Sequence, residues 1–107
     1  RDRIAAVRLN QGRQALIEIF RLYFENVGNA CAEMRHHPEP DQVRLQSHRA
    51  KGASGIVGAT GLWQTFADVE ARAAAGETLT AAEYDDIDQQ LSGLRSFLSA
   101  TLGVEHL

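Results

Sequence analysis

Apolar residues recur at steps of three or four along most of this chain. From Gln14 to Met34 they fall at Leu16, Phe20, Tyr23, Val27, Ala30 and Met34, the spacing of one face of an α-helix. The pattern predicts a long amphipathic helix entered from Asn10 or Gly12. It leaves room for a short extra helix before it, from about Asp2 to Leu9. The only two prolines, Pro38 and Pro40, lie in the connector HHPEP and close this first helix.

A second helix is expected from near Pro40 to about Val57. A third takes Leu62, Phe66, Val69 and Ala73 as its buried stripe, with Gly76 as a left-handed terminator. The last opens on Thr80-Ala-Ala-Glu83, the spacing of a capping box, and continues through Tyr84, Ile87, Leu91, Leu94, Leu98 and Leu102. No sustained period-two alternation and no Asn-Gly or Asp-Gly hairpin signal competes with this reading. Four principal helices on short connections predict an all-α fold, an antiparallel up-down four-helix bundle.

Composition changes little in that picture. The 107 residues suit a single domain spanning 1–107, and 44% hydrophobic with 23% charged residues is an ordinary balance for a folded chain. A lone cysteine, Cys31, excludes an internal disulfide and any multi-cysteine zinc site; a reducing, cytoplasmic setting is the expectation. The net charge of −3 gives no global basic footprint, so nucleic acid is not an expected partner. No run approaches the roughly 18 apolar residues of a membrane span, so no membrane contact is expected. No signal sequence is evident. The start at Arg1 rather than Met reads as an excised domain.

The candidate chemistry lies in HRAKGASGIVGATG, residues 48–61, where Gly52, Gly55, Gly58 and Gly61 recur every third position. Each glycine inside a helix costs about 1 kcal/mol relative to alanine, so the run calls for a reason. On a wheel at about 100° per residue, Val43, Ala50, Ala53 and Val57 form the core stripe. Leu45 and Ile56 flank that stripe. His48 projects away from it, with Arg44, Lys51, Gly52 and Gly55 on its side. A protruding imidazole, an approach cleared of side chains and two nearby cations suit a nucleophilic histidine that carries a phosphoryl group. The segment holds neither GxxxxGK[ST] nor GxGxxG, so a nucleotide cradle is disfavoured. Gly58 and Gly61 fall where this helix ends and turns into the next.

His48, Lys51, Gly52, Ser54, Gly58 and Ala59 together resemble the signature of histidine-containing phosphotransfer domains, over roughly residues 10–102. Leu62 and Glu70 also fall where that family has an apolar and an acidic or amide residue. Ala50 departs from the pattern, where the family usually has a larger apolar residue, and Gly55 is also unusual. The resemblance implies a phosphorelay intermediate of two-component signal transduction. His48 would accept a phosphoryl group, most plausibly on Nε2, from a receiver-domain aspartate and pass it to a receiver aspartate. Lys51, with Arg44, would neutralise phosphoryl oxygens, Gly52 would let the receiver approach, and Glu70 would orient the ring. The implied partners are response-regulator receiver domains, with a hybrid sensor histidine kinase as a further candidate. The domain needs no cofactor of its own, since the receiver brings Mg²⁺. With no nucleotide loop, it is a phosphotransfer protein with a phosphohistidine intermediate rather than an autonomous kinase. Two alternatives stay open: a non-phosphorylated helical adaptor that docks a receiver, and the phospho-accepting domain of a chemotaxis-type kinase.

Other features have plainer readings. His36 and His37 with Glu39 are expected to diverge in a solvated loop rather than hold a metal, and His106 to fray. The acidic run Glu83, Asp85, Asp86 and Asp88 suits a helix start. Trp63, beside the Leu62 stripe, is expected to pack at the core or its edge, with an exposed docking anchor as the other option.

Overall fold

The computed structural model describes the backbone of residues 2–107, with side chains from Arg8 onwards. It contains α1 (Asp2–His36), α2 (Pro40–Val57), α3 (Thr60–Ala74) and α4 (Ala81–Leu102), with no strand among the described residues. Successive helices run antiparallel, and α4 returns between α3 and α1 to close a four-helix bundle. The core is one cluster in which Val27, Met34, Val43, Ala50 and Phe66 are almost wholly enclosed.

Helix α1 is longer than its pattern announces. The expected short helix over residues 2–9 is not a separate element but the first turns of the same 35-residue helix. At 1.5 Å per residue this is a rod of about 52 Å, which sets the long axis of a molecule 59 × 21 × 20 Å. Gly12 lowers helix propensity without breaking the helix. Arg13 beside it donates from Nε to Leu102 O at 2.7 Å, tying α1 to the end of α4.

The buried stripe of α1 is also rotated from the expected one. Leu16 is 47% exposed, whereas Ile17 is 1% exposed and Phe24 joins Tyr23 in the core. Both Leu16 and Ile17 keep a step of three or four to the next apolar residue, so periodicity alone does not choose between them. The neighbouring helices do.

Helix ends follow local chemistry. Pro40 begins α2, where a missing N–H costs nothing. Gly58, Gly76 and Gly103 take positive φ just past α2, α3 and α4, closing each with bonds back to the last carbonyls. The capping box at Thr80 is present: its Oγ1 accepts from Glu83 N, and Glu83 Oε1 accepts from Thr80 N. Arg72 of α3 grips the same Glu83 carboxylate. Further along the acidic run, Asp85 and Asp88 pair with Arg35 of α1. The run therefore does more than favour a helix start; it ties α4 to α1 and α3.

Arg72, with help from Thr80, holds the Glu83 carboxyl down at about 2. A depressed acid stabilises the fold above its unfolded value and loses that contribution as pH falls through the folded one. Stability supplied by Glu83 is thus expected to fade between the ordinary 4.5 and about 2. Glu83→Gln keeps the capping geometry but does not ionise. Its melting temperature should fall less steeply than wild type across that window, and equal slopes would count against the linkage.

Candidate functional site

Helix α2 is seated by two buried serines on either side of His48. Ser47 Oγ donates to Val43 O at 2.6 Å. Ser54 Oγ donates to Ala50 O at 2.8 Å and accepts from Tyr23 OH of α1 at 2.8 Å. Burial pushes the Tyr23 phenol up, so it keeps its proton and stays a donor. Neither serine's core role was predicted, although both lie within a turn of Ala50 on the apolar arc. With that arc held down, His48 must face outwards.

The His48 side chain is 67% exposed. Its Nδ1 lies 3.1 Å from Glu70 Oε1 of α3. A carboxylate only accepts, so Nδ1 carries the proton, and in the neutral ring Nε2 keeps a free lone pair. Glu70 Oε2 is buried, and Lys51 Nζ stands 2.9 Å from it. This contact is a charge pair. Lys51 holds the Glu70 carboxyl below the ordinary carboxylate range, against the effect of burial, and His48 adds to the depression. Glu70 is therefore ionised at neutral pH, as an acceptor for Nδ1–H must be.

Lys51 is only 26% exposed. Its ammonium also faces the Trp63 ring, 6.0 Å from the centroid. Trp63 is a surface-edge residue, 40% exposed. The structure thus gathers His48, Lys51 and Glu70 into one contact chain. Arg44 stands one turn before His48 on the exposed side, with no ion pair or side-chain hydrogen bond among the described residues. Gly52 follows His48 by one turn, and a Cβ built there meets nothing within 4 Å. The chain's own packing does not require glycine at 52.

Gly55 is different. The sequence suggests that it clears space for a partner, but the structure gives it a reason within the chain: a Cβ at 55 would lie 3.3 Å from Trp63 Cδ1. Gly55 accommodates the indole of its own chain. Gly55→Ala is expected to push Trp63 outwards by a few tenths of an ångström while favouring the helix. Because Trp63 is the only tryptophan, the shift should appear as a red-shifted, more quenchable emission. Unchanged emission would mean that the ring does not rest on residue 55.

The histidines of the connector are also placed differently. His36 is the last residue of α1, and its ring meets that of His37 edge-on with centroids 4.8 Å apart, rather than diverging. No cluster of three or more His, Cys, Asp or Glu able to hold a metal is found among the described residues. Cys31 is buried, which drives its thiol up to about 12 and leaves it a core side chain rather than a nucleophile. No helix among the described residues is long and apolar enough to cross a membrane.

Comparison of the chain with protein-family models, with curated proteins and with solved structures finds no match.

Proposed function

We propose that this chain is a phosphotransfer domain of a two-component relay, with His48 as the residue that carries the phosphoryl group. The observation behind this reading is the 3.1 Å pairing of His48 Nδ1 with Glu70, which leaves Nε2 as the unpaired nitrogen of a largely exposed ring. The donor best suited to it is an aspartyl phosphate on a receiver domain. Nε2 attacks phosphorus, an N–P bond forms, and the P–O bond to the aspartate breaks. The aspartate leaves as a carboxylate with the bonding pair. The Nδ1 proton stays on the ring, held by Glu70, and its carboxylate stabilises the positive charge that builds on the imidazole. Reversal of these steps hands the group to an aspartate of the same or another receiver.

Phosphoryl transfer of this kind depends on in-line positioning and charge neutralisation more than on covalent chemistry by the surroundings. Lys51 supplies a cation next to the ring, and Arg44 supplies a second within reach of an incoming anion. Gly52 keeps the approach to Nε2 low enough for another protein to enter. Mg²⁺ belongs to the receiver's acidic pocket in this scheme.

The test is incubation with a panel of receiver domains from the same genome, each loaded by a small acyl phosphate. Label should move to this chain and be acid-labile and alkali-stable, as a phosphoramidate is. Transfer from none of them, or an alkali-labile adduct, would overturn the reading.

A further inference from the structure

We propose that Trp63 is a positioning residue of the phosphoryl site: its indole is a wall that keeps the Lys51 ammonium at the level of Glu70 and His48. This rests on the phosphotransfer reading above. A lysine on an exposed helical face ordinarily samples many rotamers, and a mobile cation neutralises a developing charge poorly. Here two groups of α3 stand at the ammonium. Glu70 Oε2 is 2.9 Å from Nζ, and the indole centroid is 6.0 Å from it, the outer range of a cation–π contact.

The wall is where it is because residue 55 has no Cβ. A side chain there would come within 3.3 Å of the ring, so Gly55 lets an α3 tryptophan lean across α2 one turn beyond Lys51. Glycine at an exposed helical position, set against a half-exposed tryptophan, gains little for stability. The arrangement sets the ring against one charged atom, the Lys51 nitrogen. Lys51 in turn holds the Glu70 carboxylate ionised, so the indole acts on His48 through two intermediaries and need not touch the phosphoryl group.

An exposed tryptophan beside an active histidine invites a second explanation, direct contact with the incoming receiver. A double-mutant cycle separates the two. Trp63→Leu should slow transfer from a phosphorylated receiver about tenfold, and Trp63→Phe, which restores an aromatic face, should recover most of it. In a Lys51→Ala background Trp63→Leu should cost nothing more. Losses that multiply, or no recovery with phenylalanine, would overturn the proposal in favour of a partner contact or simple packing. A second measurement does not depend on transfer. The Glu70 carboxyl, followed by carbon-13 NMR, should titrate at higher pH in Trp63→Leu than in wild type. An unchanged midpoint would overturn the positioning role. If the wild-type chain accepts label from no receiver, the phosphotransfer reading falls, and the Glu70 titration still decides whether Trp63 holds Lys51.

Discussion

A chain carrying His48→Gln is expected to take up no phosphoryl group from any loaded receiver, while folding as well as wild type. The substitution removes the nucleophilic ring nitrogen but keeps a polar side chain able to donate to Glu70. Since His48 is largely solvent-exposed, the cost in stability should stay within about 0.5 kcal/mol. Loss of labelling with an unchanged melting temperature therefore isolates the chemistry from the fold. The three other histidines, His36, His37 and His106, provide an internal control. Label that survives in His48→Gln would move the acceptor to one of them and remove the role given to Glu70.

The second large effect is expected from a residue with no side chain. Gly52→Gln should raise stability and suppress transfer together. Glutamine is the better helix former by somewhat under 1 kcal/mol, and the open space around residue 52 offers nothing for its Cβ to strike. Yet its amide would stand one turn from the imidazole, where on the proposed function a receiver would bring its phosphate into line. Displacement of the reacting atoms by about 1 Å costs on the order of 10²-fold in rate. Gly52→Ala should fall between the two. Thermal melts and single-turnover transfer on the same samples provide the comparison. Transfer at the wild-type rate in Gly52→Gln would show that glycine at 52 clears nothing.

What could be read from the residues alone was whatever depends on neighbours in the chain. The Thr80–Glu83 box, the left-handed terminator at Gly76, the end of α2 at Gly58 and the outward direction of His48 all follow from spacing within one helix, and the structure has them. Contacts between helices were legible only where a resemblance supplied them, as for Glu70 beside His48. The choice of Ile17 over Leu16 as a core residue depends on how α1 faces its neighbours, because both positions satisfy the same period. The hydroxyl pair Tyr23–Ser54 joins residues 31 apart, and nothing local in either sequence neighbourhood names the other. The packing of Trp63 against Gly55 is illegible for the same reason. An exposed glycine and an exposed tryptophan on different helices each look unexplained until the two helices are packed together.

The tight link between α2 and α3 has a consequence of its own. His48 stands eleven residues before Ala59 and Glu70 eleven after it, while Gly55 and Trp63 stand four before and four after. In two antiparallel helices that share a fold-point, positions equidistant from it come level, like opposite rungs of a folded ladder. The imidazole–carboxylate contact and the glycine–indole contact are therefore two readings of one number, the length of the bend at Gly58 and Ala59. A hairpin one residue longer or shorter would turn α3 by about 100° against α2 and forfeit both contacts at once. The left-handed glycine at the bend, ten residues from His48, is in that sense the part that aligns the two helices.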